Sequence, residues 1–306
     1  MPLWCKRDEP DAPVTAPIRE GFTEANGLRF HYLAAGEPGD KLVLFLHGFP
    51  EFSGAWRAQL EEFGRDHLAI APDLRGYNLS DRPQDVAAYR AKHLVEDVRQ
   101  IAARFTDRPF VLVAHDWGGA IGWNLAAAHP ELVERLVIVN SPHAIPFARG
   151  LAGDPAQQQA SAYMNLLRSA KAERVLSENG YARLVAMALE QWGAAPEDRS
   201  AYVEAWSQPG ALTGMLNWYR ASPLYPPTEG DPGAAKLSLD PKAFTVRVPT
   251  LVIWGMRDKA LPPTLLDGLE TCVPDLRIER IPEGTHWVVH EQPARVNALV
   301  RRFIGA

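Results

Sequence analysis

The sequence has little of what marks secreted, membrane or nucleic-acid-binding proteins. Its two cysteines, Cys5 and Cys272, are too few for a disulfide framework, which suits a reducing compartment. No apolar run reaches the length of a membrane span, and charges near the start lie where a signal peptide needs an apolar region. The net charge of −5 leaves no basic surplus for nucleic acid or anionic lipid. We therefore expect a cytoplasmic protein that binds neither nucleic acid nor membranes.

The chain of 306 residues is long enough for one large core with an inserted subdomain. Strand-like runs alternate with helical stretches over 18–143 and again over 245–306, which predicts an α/β fold with a mostly parallel sheet covered by helices on both faces. Residues 144–244 contain no buried-strand run and are rich in aromatic side chains. We interpret them as a helical lid (cap) over the carboxyl ends of the strands, where open α/β sheets place their sites. Residues 1–17 hold four prolines and predict a mobile arm.

Local patterns support this division of the chain. Asn26-Gly27 between two strand-like runs predicts a hairpin, and the continuous apolar run Lys41–Leu46 predicts a strand buried on both faces. In the predicted lid, helical stretches cover Ser161–Leu167, Tyr181–Trp192 and Ala201–Arg220, the last with a Pro-Gly interruption. The lid is therefore predicted to contain these three helical stretches.

The six residues Ala114–Gly119, A-H-D-W-G-G, lie between a strand-like run and a helical stretch. Strand, sharp turn and helix with small residues at Ala114 and Gly118 are typical of a nucleophile elbow, but Asp116 stands where serine is usual. A carboxylate is a poor acyl-transfer nucleophile, which disfavours an esterase. It can displace at saturated carbon and leave an alkyl ester that water must hydrolyse. The alternative is an aspartate that only caps the helix, although a cap does not need small residues on both sides.

An acid and a histidine follow the elbow in the order that such a site requires. Asp258 comes just after the strand-like run Thr250–Trp254, and His286 lies in a loop before the last helical stretch. Because Asp116 is already ionised, His286 has no proton to remove from it. We predict that His286 activates the water that hydrolyses the ester, with Asp258 orienting the ring. Taken singly, either residue could equally be a loop residue that only makes hydrogen bonds.

The segment H-G-F-P-E, which begins at His47, supplies a second part of the predicted site. Oxyanion holes on this scaffold use the N–H after the nucleophile and one from the loop after an earlier strand. Trp117 and Phe49 are the candidates here. Pro50 fixes the turn, and its bond to Phe49 is a candidate for the cis form. We interpret His47 and His115 as structural residues.

With these motifs in place, the sequence resembles the α/β-hydrolase superfamily and, within it, the epoxide hydrolases of the soluble type. The resemblance runs from about residue 20 to the end of the chain. In the core it rests on H-G-F-P-E at His47, D-L-R-G-Y at Asp73, A-H-D-W-G-G at Ala114, N-S-P-H at Asn140, G-x-x-D ending at Asp258 and G-x-H-W ending at Trp287. In the predicted lid it rests on S-A-Y at Ser161 and N-W-Y-R at Asn217.

The lid motifs matter because dehalogenases share the core motifs. The resemblance implies that Tyr163 and Tyr219 bind the epoxide oxygen and donate a proton as the ring opens. The chemistry gives an independent reason to expect them, since an alkoxide leaves poorly unless an acid protonates it or donors stabilise it. Without the resemblance, both would be interpreted as lid core aromatics.

The expected activity is conversion of an apolar epoxide and water to a vicinal diol, with no cofactor and no metal. The predicted substrate pocket includes Trp117, Pro50, Met164 and Trp287. An apolar substrate is also suggested by the large apolar side chains of the lid, namely Phe147, Met187, Trp192, Trp206, Met215 and Trp218. Oligomeric state has no signal in the sequence.

The sequence differs from the usual family pattern at two positions, and two other functions are alternatives to an epoxide hydrolase. Asn78 stands where the family more often has glycine, and Met164 where some relatives have glutamine. A haloalkane or haloacid dehalogenase would use the same Asp nucleophile, but the haloalkane enzymes often have Asn at the Phe49 position and the fluoroacetate enzymes have Arg at the Trp117 position. A non-catalytic receptor on the same fold would be expected to lose a triad member, and none is missing here.

Overall fold

The computed structural model describes residues 16–305 of the chain. Most of the predicted arm, residues 1–15, and with it Cys5, therefore lies outside the described residues. Among the residues that are described, no helix is both long and apolar enough to cross a membrane.

The described residues form one eight-stranded, mostly parallel sheet. In chain order the strands are β1 (Arg19–Ala25), β2 (Leu28–Ala35), β3 (Leu42–Leu46), β4 (Leu68–Pro72), β5 (Phe110–His115), β6 (Val133–Val139), β7 (Thr250–Gly255) and β8 (Leu276–Ile281). Their spatial order is β1-β2-β4-β3-β5-β6-β7-β8. Strand β2 runs antiparallel to β1 and β4, and the remaining neighbours are parallel. The predicted hairpin is present, with Asn26 and Gly27 at φ of 50° and 74°.

Twelve α-helices accompany the sheet in the described part of the chain. They are α1 (Arg57–Phe63), α2 (Ala91–Ala102), α3 (Asp116–Ala128), α4 (Ala144–Gly153), α5 (Pro155–Ala160), α6 (Tyr163–Arg168), α7 (Ala172–Leu184), α8 (Glu190–Trp192), α9 (Pro196–Ser207), α10 (Ala211–Ala221), α11 (Val288–Glu291) and α12 (Pro293–Ile304). A π-helical turn, Val185–Leu189, joins α7 to α8.

Two apolar layers cover the two faces of the sheet. Alternate residues of β3 divide between them: Leu42, Leu44 and Leu46 pack with α2 and α3, while Val43 and Phe45 pack with α1 and α12. A strand buried on both faces in this way needs the continuous apolar run that the sequence contains. The predicted α/β fold is confirmed.

All helices from α4 to α10 lie between β6 and β7, and no strand of the sheet comes from 144–244. We keep the name lid for this segment; its boundaries stay a prediction. The structure differs from the prediction at the start of Tyr181–Trp192. Asn179, Gly180 and Tyr181 have φ values of 52°, 64° and 64° and break α7, because Asn and Gly tolerate the left-handed conformation. Helices α4 and α5 were not predicted.

Candidate active site

The turn from β5 to α3 holds Asp116 in an uncommon backbone conformation. Its φ of 48° lies in the left-handed region, which costs a non-glycine residue about 1–3 kcal/mol. Close neighbours fix the turn: a Cβ at Gly118 would lie 2.4 Å from the carbonyl oxygen of Leu46, and one at Gly48 would lie 2.3 Å from the Asp116 Cβ. The Ser141 hydroxyl donates a hydrogen bond of 2.6 Å to the Asp116 carbonyl. The small residues of the motif therefore let the turn approach neighbouring backbone closely.

The Asp116 carboxylate lies between the H-G-F-P-E loop and His286. Its Oδ1 accepts a hydrogen bond of 2.8 Å from the Phe49 N–H. Its Oδ2 is 3.7 Å from Nε2 of His286. The Trp117 N–H belongs to the first turn of α3, where helix N–H groups have no partner within the helix. The Phe49–Pro50 bond is cis.

The structure brings Asp258 and His286 together beside Asp116. Nδ1 of His286 lies 2.7 Å from Oδ2 of Asp258. The N–H groups of Ala260 and Leu261 donate to Oδ1 of Asp258 at 2.9 and 2.8 Å, and the Asn140 amide donates to Oδ2 at 2.8 Å. Three donors therefore hold the carboxylate of Asp258 in place beside the ring of His286.

The electrostatics of this group favour a protonated His286. Burial lowers the pKa of His286, but the charge of Asp258 and its hydrogen bond, followed by the charges of Asp116 and Glu51, outweigh it and raise the pKa to about 9. In the free enzyme at neutral pH the imidazolium therefore lies between two carboxylates.

The sequence did not single out Asn140 or Glu51 as site residues. Asn140 follows β6, has φ of 38°, and accepts a hydrogen bond of 2.8 Å from the Gly255 N–H while its amide holds Asp258. It therefore ties the ends of β6 and β7 together. The N-S-P-H motif directly after a strand was the signal that could have identified it.

Glu51 lies behind His286 in a buried network. Its Oε2 is 3.0 Å from Nδ1 of His115, and its Oε1 is 2.6 Å from Nε2 of His290. Burial raises the pKa of Glu51, but the hydrogen bonds from His115 and His290 outweigh it and hold the pKa well below its usual range. Nε2 of His115 is 2.9 Å from the carbonyl oxygen of His286. His115 supports the backbone of His286.

The two lid tyrosines come together across the cavity from the elbow. Tyr163 begins α6 and Tyr219 lies in α10, with ring centroids 6.3 Å apart and planes at 76°. Tyr219 also packs edge-on against Phe49 and Trp117, each at 5.1 Å. Burial, followed by nearby negative charge, raises the pKa of both phenols well above its ordinary value. Both are neutral donors at physiological pH.

Two cavities meet at these residues, since Asp116, Tyr163 and Tyr219 line both. We treat them as two arms of one cavity. The smaller arm, about 80 Å³, includes Trp117 and Met164 in its wall. The larger arm, about 520 Å³, includes Pro50 and Trp287, together with His286 and Asp258. Within residues 16–305, no group of three or more His, Cys, Asp or Glu side chains is arranged to hold a metal ion.

Comparisons with known proteins agree with this geometry. Residues 41–293 match the family model of the alpha/beta hydrolase fold. The chain is 38% identical to the AB hydrolase superfamily protein YfhM of Bacillus subtilis, over 92% of this chain and 96% of that protein. It is 35% identical to epoxide hydrolase 4 of Mus musculus, over 91% of this chain and 77% of the mouse protein. The crystal structure of the Bacillus megaterium epoxide hydrolase in complex with an inhibitor has a TM-score of 0.85 at 34% identity, covering 94% of this chain and all of that one.

The sheet, the elbow and the family match define an α/β-hydrolase. Within that superfamily the chain belongs to the epoxide hydrolase family, so it is an enzyme of the hydrolase class. The family resemblance drawn from the motifs is confirmed.

Proposed function

We propose that this enzyme converts an apolar epoxide and water to a vicinal diol through a covalent alkyl ester on Asp116. One observation carries the proposal: the carboxylate of Asp116 and the phenols of Tyr163 and Tyr219 line the same cavity. An epoxide between them meets a nucleophile at its carbon and proton donors at its oxygen. The relatives that are named epoxide hydrolases support the same substrate class.

In the first step, Oδ2 of Asp116 attacks a ring carbon. Oδ1 is held by the Phe49 N–H, which leaves Oδ2 as the free oxygen. A bond forms between Oδ2 and carbon as the ring carbon–oxygen bond breaks, and the released oxygen takes a proton from a tyrosine. Phenols suit this task because they are neutral and donate without competing as nucleophiles. The raised pKa values of Tyr163 and Tyr219 keep both protonated in the resting enzyme.

In the second step, His286 activates a water molecule that attacks Cγ of the ester. The charge of Asp116 contributes to the raised pKa of His286, and ester formation removes that charge. The pKa of His286 therefore falls, and its proton passes to the tyrosinate left by the first step. The tyrosine is thus restored, and His286 is neutral when a base is needed. The tetrahedral oxyanion forms on Oδ1, where the N–H groups of Phe49 and Trp117 stabilise it. Its collapse breaks the bond between Cγ and Oδ2, and the departing diol oxygen takes the proton of the added hydroxyl. This restores the carboxylate, while Asp258 stabilises the imidazolium.

Dehalogenation remains the alternative that shares the nucleophile, the acid and the histidine. Halide leaves without an acid and is best held by N–H donors or cations, whereas the oxygen-facing wall here presents two neutral phenols. Phe49 also lacks the side-chain amide that haloalkane enzymes often place at this position. These features favour an epoxide over a haloalkane.

The test is a parallel turnover assay with an aryl epoxide and a haloalkane of matched size. Diol formation with the epoxide, and halide release that is absent or far slower, is the expected result. Rapid halide release without diol would assign the site to dehalogenation. An Asp116→Asn variant serves as the control for both substrates, because an amide removes the nucleophile while keeping the shape of the side chain.

A further inference from the structure

Tyr163 lies at the start of a short helix. Helix α6 runs from Tyr163 to Arg168 and has six residues. A helix of this length is not stable by itself, so contacts with neighbouring elements fix its position and that of Tyr163. Tyr219 is held more directly, because Trp218 beside it donates its indole N–H to the Arg75 carbonyl of the core at 2.8 Å. Of the two lid tyrosines, Tyr163 therefore depends more on contacts within the lid.

Arg168, the last residue of α6, joins this helix to α10. Its Nη1 donates hydrogen bonds to the carbonyl oxygens of Tyr219 and Ser222, the latter at 2.8 Å. Both carbonyls lie at the carboxyl end of α10, where carbonyl groups lack helical partners and attract a cation. The residue four positions after Tyr219 is Pro223, which has no N–H to offer this carbonyl. Arg168 therefore links the helix of one lid tyrosine to the main chain of the other.

The guanidinium group of Arg168 is also held by Tyr225. Its Cζ lies 3.7 Å from the centroid of the Tyr225 ring. Tyr225 is buried, and its hydroxyl is 2.9 Å from Oδ2 of Asp231 and 2.7 Å from Nζ of Lys236. A planar guanidinium can stack on a ring and donate to carbonyl oxygens at the same time. The link thus depends on the shape of the arginine as well as on its charge.

Arg168 differs in its partners from other arginines of the lid. Arg174, Arg199 and Arg220 each pair with a glutamate. Arg168 donates to main-chain carbonyls instead. Arg220 makes a second link, since it also donates to the carbonyl of Ser169, directly after α6, at 3.1 Å. Because this second link remains, replacing Arg168 should shift α6 without detaching it from α10.

We propose that Arg168 is a positioning residue for Tyr163. By holding α6 against the end of α10, it sets the spacing at which the two phenols reach the same epoxide oxygen. The ring centroids of Tyr163 and Tyr219 are 6.3 Å apart. Catalysis is sensitive to such spacing, because a misplacement of about 1 Å can cost about a hundredfold in rate. The inference rests on the proposed function, since it requires that the tyrosines donate to the epoxide.

The test measures ring opening, as the rate of ester formation in a single turnover, for Arg168→Met in three backgrounds. In the wild-type background the rate should fall about tenfold, because a displaced Tyr163 leaves Tyr219 to donate alone. In Tyr219→Phe the fall should be at least as large, since Tyr163 is then the one remaining donor. In Tyr163→Phe the same change should alter the rate by less than about twofold, since Arg168 has no phenol left to position.

Ester hydrolysis separates positioning from general damage to the lid. Its base, His286, and the N–H groups of Phe49 and Trp117 belong to the core, so the ester should decay at the wild-type rate in Arg168→Met. Arg174→Met is the matched control, because this exposed arginine of α7 pairs with Glu178 of the same element. It should leave both rates unchanged in all three backgrounds.

A second variant repeats the test if Arg168→Met does not fold. Tyr225→Leu keeps the arginine but removes the ring on which it stacks. Ring opening should then fall by about two- to fivefold in the wild-type and Tyr219→Phe backgrounds and stay unchanged in Tyr163→Phe.

Equal losses in the three backgrounds would overturn the inference, because Arg168 would then support the lid without acting through Tyr163. An unchanged rate of ring opening, or hydrolysis slowed to the same degree, would also overturn it. These outcomes leave the proposed function intact as long as Tyr163→Phe and Tyr219→Phe slow ring opening. If neither tyrosine variant slowed it, the proposed function and this inference would both be contradicted.

Discussion

Asp116 holds its carboxylate on a left-handed backbone that few aspartates adopt. The conformation is maintained from outside the turn, by the Ser141 hydroxyl on its carbonyl and by the close packing of Gly48 and Gly118. As a result, the carboxylate projects from the turn toward the cavity and His286. The strain is thus placed where the proposed nucleophile needs a fixed direction.

Replacing the two lid tyrosines by phenylalanine tests whether their phenols donate the proton. Tyr163→Phe or Tyr219→Phe should lower epoxide turnover by about 10- to 1,000-fold, because the remaining phenol can still donate. The double variant should nearly abolish ring opening, since nothing then stabilises the leaving alkoxide. The rate of diol formation in a single turnover measures the loss in each variant. Tyr181→Phe is the control, because this lid tyrosine bonds to the Trp206 carbonyl and does not line the cavity.

If the double phenylalanine variant retained most of its diol formation, the tyrosines would be packing residues of the lid. The proposed mechanism would then lack its proton donor.

His286 gives a prediction about pH. Its pKa of about 9 in the free enzyme includes the charge of Asp116, which the ester lacks, so the pKa of the intermediate should lie below 9. Hydrolysis needs neutral His286 and should therefore quicken as pH rises, levelling off above that lower pKa. At acid pH the ester should accumulate. Rapid-quench measurement of the ester and the diol follows both steps.

His286→Gln should form the ester at every pH and stall there. His129→Gln, at a surface histidine near the end of α3, should keep the wild-type profile. A hydrolysis rate independent of pH would show that His286 is not the base.

At the scale of elements, three aromatic side chains of the lid contact the H-G-F-P-E loop and α11. The indole N–H of Trp206 in α9 donates to the Pro50 carbonyl at 2.6 Å, and Trp192 stacks on His290 with ring centroids 4.4 Å apart. The Tyr202 hydroxyl lies 3.4 Å from Glu51. The residues that position His286 and those that anchor the lid therefore belong to one network.

Trp206→Phe tests this anchorage. The change removes one donor and leaves the buried Pro50 carbonyl without a partner, so the free energy of unfolding should fall by about 1–3 kcal/mol. Urea unfolding followed by far-ultraviolet circular dichroism measures the loss. Ser207→Ala, at the exposed next residue, should stay within about 0.5 kcal/mol of the wild type. An unchanged midpoint for Trp206→Phe would mean that other contacts hold the lid.

The sheet was more predictable from the sequence than the lid for a physical reason. Strands such as β3 are buried on both faces and need continuous apolar runs, which are visible locally. Helices α4 and α5 of the lid have ten and six residues and bury few side chains, so their sequences carry little local signal. Helix α4 escaped prediction for this reason. The break at Asn179-Gly180 has a local signal, an Asn-Gly pair, and it lies just before the predicted helical stretch Tyr181–Trp192.

At the scale of the whole molecule, the site is assembled from the carboxyl ends of neighbouring strands. Strands β3, β5, β6, β7 and β8 lie side by side, and the segments after them carry Phe49, Asp116, Asn140, Asp258 and His286. This arrangement explains why chain order alone suggested Asp116, Asp258 and His286. The contact between Glu51 and His290 spans 239 residues and had no such signal, because only the completed fold brings the two side chains together.

The most direct test of the covalent mechanism is a single turnover in heavy-oxygen water. Enzyme in excess over an aryl epoxide should yield diol without label, because the inserted oxygen comes from Asp116, and mass spectrometry of the peptide that contains Asp116 should find the label in its carboxylate. His286→Gln should instead show a peptide whose mass is increased by the alkyl group. Label in the diol of the first turnover, with an unlabelled Asp116, would mean direct attack by water and would contradict the account.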